Sequence, residues 1–319
     1  MTGAIVGPDA AGLARAVRIL RAGSVVAFPT ETVYGLGADA FSEAAIGEIY
    51  RLKNRPSWNP LIVHVAGLAA ARELADEWPA AADELAARFW PGPLTLVVRR
   101  AGHLPRIGAA NDTVAIRVPA HDVALRLLEA SGLPLAAPSA NRSESISPTT
   151  AEHVVRSLPD VPLVLDGGAC SWGIESTVLD LTTAVPTLLR PGALSLRALR
   201  EVTGAIALPD SETADGAARP APGMSRRHYA PRATVLLVKD VQDVDRSTLA
   251  GPVAVLTYEG AGDDGTETLS ADPREYAADL YAALHRLDDA AVATILVQDP
   301  PQTEDWLAVR DRLSRAAAK

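Results

Sequence analysis

Residues 51–61, RLKNRPSWNPL, set Arg51, Lys53 and Arg55 at alternate positions directly ahead of a proline. The chain has 30 basic residues, yet only three are lysine: Lys53, Lys239 and the final Lys319. Cations at a helix C-terminus complement the negative end of its dipole, worth about 0.3–1 kcal/mol, but arginine would serve that purpose equally. A lysine in an arginine-habituated chain instead suggests a compact point charge suited to one phosphate oxygen. Arg55 beside it is able to make a planar, two-pronged contact. Both readings stand on this stretch alone; the second implies a polyphosphate ligand.

Other short stretches carry similar double readings. AAPSAN (136–141) offers Ser139 and Asn141 at the C-terminal end of a strand, where α/β sheets bind ligands, or else forms an ordinary polar turn. Ser147-Pro148 with Glu152 resembles a helix start with proline at the first position. The free N–H groups there suit a phosphate, although capping alone also explains the serine. In TVAIRVP (113–119), Arg117 faces opposite to Ile116 and Val118, onto either a solvated face or a cavity where it pairs with a substrate carboxylate. Arg190, at the end of TLLR, is similar. Gly35-Leu36-Gly37-Ala38-Asp39-Ala40 matches the dinucleotide pattern, but PTETVY separates it from its strand and no acidic residue closes a second strand near 57. Thr30 and Thr32 are better candidates there, as hydroxyl contacts. No nucleophile elbow and no glycine loop ahead of Lys53 occurs. SRRHY (225–229) is either a solvated cluster or a lid over a bound nucleotide.

The elements that must position these side chains follow from periodicity and breakers. Leu13, Val17 and Leu20 recur at helical spacing over 9–22, and Gly23 ends that helix. SVVAFPT (24–30) reads as a buried strand. Ser42 caps a helix over 42–53 whose Ile46, Ile49 and Leu52 share a face. Strands are expected at PLIVHV, LTLVVR, TVAIRVP and LPLAAPS, with helices over 68–90, interrupted at Pro79, and 121–131. A short helix over 148–157 precedes the closely spaced strands PLVLDGG, STVLDL and PTLLRPG. This combination predicts an α/β domain with a mixed, twisted sheet. Residues 211–233, rich in Ala, Pro and Gly, read as a linker. Strands TVLLVK, VAVLTY and ATILVQ then alternate with helices over 273–289 and 303–316, a small doubly wound domain. The chain thus divides into a domain over 1–208, a linker or lid over 209–232, and an α/β domain over 233–319.

Composition excludes several functions. A net charge of −9 argues against a general polyanion-binding surface, because nucleic-acid affinity rests mainly on phosphate neutralisation. One cysteine, Cys170, rules out an intrachain disulfide and a Cys-rich zinc site, and the six histidines show no metal-ligand spacing. The first residues lack a leader pattern and no run of 18 apolar residues occurs, so a cytoplasmic protein without a membrane partner is expected.

Taken in order, FPTETVYGLGADA, KNRPSWNPLIVHV, PGPLTLVV, VAIRVP, APSAN, SPTTAEHV, DGG…IESTVLDL and LLRPG resemble the YrdC-type domain. With the linker and a small α/β domain after it, the chain resembles the two-domain threonylcarbamoyl-AMP synthases. The resemblance implies a YrdC-like twisted mixed sheet with helices and a central cavity, followed by a small Rossmann-like domain. It also implies the reaction of L-threonine, bicarbonate and ATP, with Mg²⁺ as cofactor, to threonylcarbamoyl-AMP and pyrophosphate. That product serves threonylcarbamoyladenosine formation in tRNA beside the anticodon, which makes tRNA or its transfer machinery a partner. The family's K-x-R…S-x-N signature falls on Lys53, Arg55, Ser139 and Asn141 as catalytic residues. Its ATP contacts fall on Arg55, Asn59, Thr113, Ser139, Ser147, Arg190 and Tyr229. Its threonine contacts fall on Thr32, His64, Arg117, the backbone around Ala137, and Ser176. Two rivals are weaker. The charge and the lack of aromatic–basic interleaving disfavour an RNA-binding module, and one cysteine excludes the zinc-finger layout of the hydrogenase-maturation carbamoyltransferases.

Overall fold

The computed structural model describes residues 3–107, 112–208, 228–259 and 265–318. Most of the expected linker, including 225–227 of SRRHY, lies outside the described residues. Up to residue 208 the chain runs β1 (Ala4–Val6), α1 (Ala10–Arg21), β2 (Val26–Phe28), β3 (Gly35–Asp39), α2 (Glu43–Lys53), β4 (Ile62–His64), α3 (Leu68–Glu73) and α4 (Ala80–Phe89). It continues with β5 (Leu94–Arg99), β6 (Thr113–Arg117), α5 (Asp122–Ser131), β7 (Leu135–Ala136), α6 (Ala151–Ser157), β8 (Leu163–Leu165), β9 (Thr177–Asp180), β10 (Thr187–Arg190) and α7 (Leu196–Thr203). The ten strands form one mixed sheet in the order β1-β8-β2-β3-β7-β4-β6-β5-β9-β10.

Local chemistry sets most of these boundaries. Ser42 caps α2 by accepting from the N–H of Ala45, and Ile46 and Ile49 lie buried on its inner face. The helix stops where Asn54 takes a left-handed φ of 50°, a turn asparagine tolerates well. The Gly-x-Gly pair that imitates a dinucleotide loop belongs to strand packing instead. Gly35 pairs with Phe28 across β2 and β3, and a side-chain carbon at Gly37 would sit 2.7 Å from the Phe28 ring. One boundary differs from expectation. The helix expected from 148 begins at Ala151, capped by Thr150, because the carbonyl of Pro148 accepts from the N–H of Tyr34 and holds that segment along the β2–β3 loop.

Beyond residue 228 come β11 (Thr234–Val238), β12 (Val253–Thr257), β13 (Thr266–Thr268), α8 (Pro273–Asp289), β14 (Thr294–Gln298) and α9 (Leu307–Ala317). The sheet is β11-β14-β12-β13, parallel throughout. Asp272 caps α8 by accepting from the N–H groups of Arg274 and Glu275, with Pro273 at the first position. Tyr276, Leu280, Leu284 and Leu287 pack from α8 onto Leu256, Ile295 and Leu313.

The two domains share buried apolar surface. Val33, Ile146 and Ile174 of the first belong to the same cluster as Tyr276, Leu280 and Tyr281 of the second. The ion pairs Arg156–Asp289 and Arg200–Glu304 also cross the boundary; being exposed, they add little. The backbones also approach closely at Gly173, whose φ is +68° and where a side-chain carbon would lie 2.0 Å from the carbonyl oxygen of Ala278. Gly173→Ala should therefore force α8 away from the first domain and cost about 2 kcal/mol or more. Urea unfolding that matches the wild type would refute this close contact.

Candidate functional site

The ends of β2, β4, β6, β7 and β10 open onto one cleft. Its walls include Thr30, Thr32, Arg55, His64, Arg117, Ala137, Ser139, Glu175, Ser176, Arg190, His228 and Tyr229. Parallel pairing of β4 with β6 sets His64 opposite Arg117, and antiparallel pairing of β7 with β4 brings the chain from Ala137 to Ser139 alongside. Nine of the residues expected at the site thus meet here: Thr32, Arg55, His64, Arg117, Ala137, Ser139, Ser176, Arg190 and Tyr229.

Arg55, Arg117 and Arg190 are all buried, at 7%, 3% and 4% exposure. Arg55 donates to the carbonyl of Pro60 at 3.0 Å, and burial lowers its pKa to about 10, still charged at neutral pH. Arg190 donates to the Ser176 carbonyl at 2.9 Å and to the Ser176 hydroxyl at 3.1 Å. That hydroxyl also meets Thr95 Oγ1 at 2.7 Å. Arg117 donates to the Gly92 carbonyl and lies 2.7 Å from Glu31 Oε1. The Glu31 contact is an ion pair without hydrogen-bond alignment, because both carboxylate oxygens lack a proper donor. Thr32 Oγ1 and Thr30 Oγ1 share a hydrogen bond at 2.8 Å, which fixes both buried hydroxyls in the cleft wall. His64 is buried, and desolvation, then the Arg117 charge, lower its pKa to about 3. Its imidazole is neutral throughout the working range.

Four expected residues lie off the cleft wall. The ammonium of Lys53 is buried at 1% exposure and donates to the backbone carbonyls of Ser139, at 2.6 Å, and Asn141. Burial, then the Arg55 charge, hold its pKa well below the usual lysine value. A tetrahedral ammonium reaches converging carbonyls that a planar guanidinium would straddle, so the lysine secures the SAN turn. Asn141 completes that turn by donating to the carbonyls of Arg142 and Ser145. Ser147 is fully buried and donates to Glu175 Oε1 at 2.6 Å. Asn59 contributes its carbonyl, which accepts from Tyr50 Oη. A fifth, Thr113, stands at the opposite end of β6 from Arg117, roughly 13 Å along the strand. There it lines a second cleft with Pro60, Leu61 and Leu104.

Three groups escaped the sequence reading. Glu31 sits between the two threonines. Glu175 lines the cleft and accepts from Ser147, from Tyr281 Oη at 3.0 Å and from Arg312 Nε at 2.8 Å. Burial pushes its carboxyl up, but Arg312, then Arg190, outweigh this and leave it at about 2. Arg312 itself comes from α9, in the second domain. Among the described residues no His, Cys, Asp or Glu cluster is arranged for a metal, and no helix is long and apolar enough to cross a membrane.

Comparison with known proteins identifies the family and fold. Residues 18–192 match the family described as Telomere recombination (Sua5_yciO_yrdC), and residues 194–318 match the threonylcarbamoyl-AMP synthase C-terminal domain. The threonylcarbamoyl-AMP synthase of Pyrococcus abyssi is 43% identical over 95% of this chain and 93% of its own length. That of Bacillus subtilis is 41% identical over 96% and 92%. A crystal structure of P. abyssi Sua5 complexed with L-threonine superposes with a TM-score of 0.91 at 40% identity, covering 98% of this chain and 97% of that one. With both halves matched and the relatives aligned nearly end to end, this chain belongs to the threonylcarbamoyl-AMP synthase family.

Proposed function

We propose that the cleft condenses L-threonine, bicarbonate and ATP into threonylcarbamoyl-AMP and pyrophosphate. One observation carries the reading: three buried arginines from three separate elements converge on a single cleft. Arg55 and Arg190 suit a polyphosphate, and Arg117 suits the α-carboxylate of an amino acid. Glu31 stands behind Arg117 and keeps the guanidinium in place. Thr32, Ser176 and the Ala137 backbone orient the amino acid, and neutral His64 offers it a hydrogen-bond partner rather than a charge. Ser139 and the unpartnered hydroxyl of Tyr229 face the nucleotide. Pro60, which lines the second cleft, accepts from Arg55 of the first, and this link supports ATP extending from the arginines toward Asn59 and Thr113. Lys53, Asn141 and Ser147 act one step back, as positioning residues.

The chemistry needs little beyond this. The amine of threonine attacks bicarbonate, and water leaves to give a carbamate, whose oxygen then attacks the α-phosphorus as pyrophosphate leaves. Positioning and charge neutralisation dominate such transfers, and each charge-assisted hydrogen bond contributes roughly 1.5–3 kcal/mol. The carbamate is already anionic, so no general base is assigned. Mg²⁺ bound to nucleotide needs at most one or two protein carboxylates. Glu175 is engaged by three donors and Glu31 by Arg117, so we assign Mg²⁺ to the ATP phosphates, where it offsets their charge. We further propose that the product is handed, in the cytoplasm, to the machinery that modifies tRNA.

Incubation with all three reactants should yield the adenylate, detected by mass, and omission of any one should abolish it. Lys53→Ala should cut pyrophosphate release at least tenfold with the fold retained, since buried carbonyls lose their donor, and Lys53→Arg should rescue it poorly, since a planar guanidinium straddles the converging carbonyls. Undiminished release in either variant would remove Lys53 from the machinery. Acid stability gives a separate check. Glu175 has a folded pKa of about 2 against 4.5 for the free group, so its ionised form stabilises the protein above pH 4.5. That contribution, roughly 3 kcal/mol, disappears as pH falls from 4.5 to about 2. Urea midpoints should fall less steeply over this window in Glu175→Gln; parallel slopes would contradict the assignment.

A further inference from the structure

Arg312, on α9 of the second domain, is 1% exposed. Its Nε donates to Glu175 Oε2 at 2.8 Å, its Nη2 donates to the Pro191 carbonyl at 3.0 Å, and its guanidinium lies 4.9 Å from the centre of the Tyr229 ring. It also pairs with its neighbour Asp311. Tyr281 of α8 donates to the same oxygen of Glu175 at 3.0 Å. Two of these partners, Glu175 and Tyr229, line the cleft, and Pro191 follows Arg190 directly.

Among the described residues lining the cleft, Glu175 is the only acid. A bare carboxylate at that wall would repel a triphosphate and would compete with it for Arg190. The first domain provides Glu175 with hydroxyl and arginine neighbours, but its direct ionic partner arrives from outside, on α9. We propose that Arg312 is a positioning residue of the adenylation cleft, supplied by the second domain, which cancels the Glu175 charge so that Arg55 and Arg190 face the phosphates instead of a competing carboxylate. The inference rests on the ATP reading given above. It makes the second domain an electrostatic part of the site.

The test uses the full-length chain and pyrophosphate release, with ATP and threonine varied separately. Arg312→Met should raise KM for ATP about tenfold while threonine KM stays within about twofold. Glu175→Gln combined with Arg312→Met should bring the ATP KM back to within about threefold of wild type, since both charges are then gone. A structural role for Arg312 predicts losses that add, or that fall equally on both substrates. Active wild type with a double variant no better than Arg312→Met would overturn this inference alone. If Arg312→Met does not fold, the double variant carries the test. It should fold with a near-wild-type ATP KM, and misfolding or a tenfold higher KM would overturn the inference. Wild-type protein that releases no pyrophosphate would overturn the adenylation reading and this inference with it.

Discussion

Keeping three buried guanidinium groups charged in one cleft is the constraint from which the rest of the architecture follows. Withdrawing an ion from water costs several kcal/mol even after the protein relaxes. The acceptors that offset this are backbone carbonyls: Pro60 for Arg55, Gly92 for Arg117 and Ser176 for Arg190. Within the sheet the ladder occupies such carbonyls, whereas the loops at strand ends leave them open. A cleft lined by buried arginines is therefore well placed at strand termini. The ten-stranded order, in which β4, β6 and β7 are neighbours, brings enough termini to one place.

A second layer fixes the first. Lys53 grips two carbonyls of the turn that presents Ser139, and Asn141 locks the same turn from the other side. Ser147, Tyr281 and Arg312 surround Glu175 in the same manner. In each case a buried polar group spends its hydrogen bonds on backbone or on another side chain, which leaves it rigid. The pattern explains why residues of one sequence signature separate physically. Arg55 and Ser139 reach the cleft, whereas Lys53 and Asn141 hold the scaffold behind it.

Much of this was legible in the chain. Helical spacing, caps and apolar runs located the elements, and period-two alternation singled out Arg117 in its strand. Ser147 misled, since serine before proline is a sound helix start and only the Tyr34–Pro148 hydrogen bond diverts it. The acids were harder. Glu31 lies between two threonines and Glu175 between Ile174 and Ser176, and their importance depends on arginines about 86 and 137 positions distant, a separation no local pattern encodes. Arg312 did leave a trace. It falls on the stripe formed by Val309, Leu313 and Ala316, and a charge on the apolar face of a helix calls for a buried partner.

The apolar cluster shared by Val33, Ile146 and Ile174 with α8 and α9 bears on how the chain can be divided. An amino-terminal fragment cut at residue 208 would keep every strand of the large sheet, yet it would carry a greasy scar where those three side chains meet water. Its solubility would then hinge on repainting Val33, Ile146 and Ile174 with polar groups.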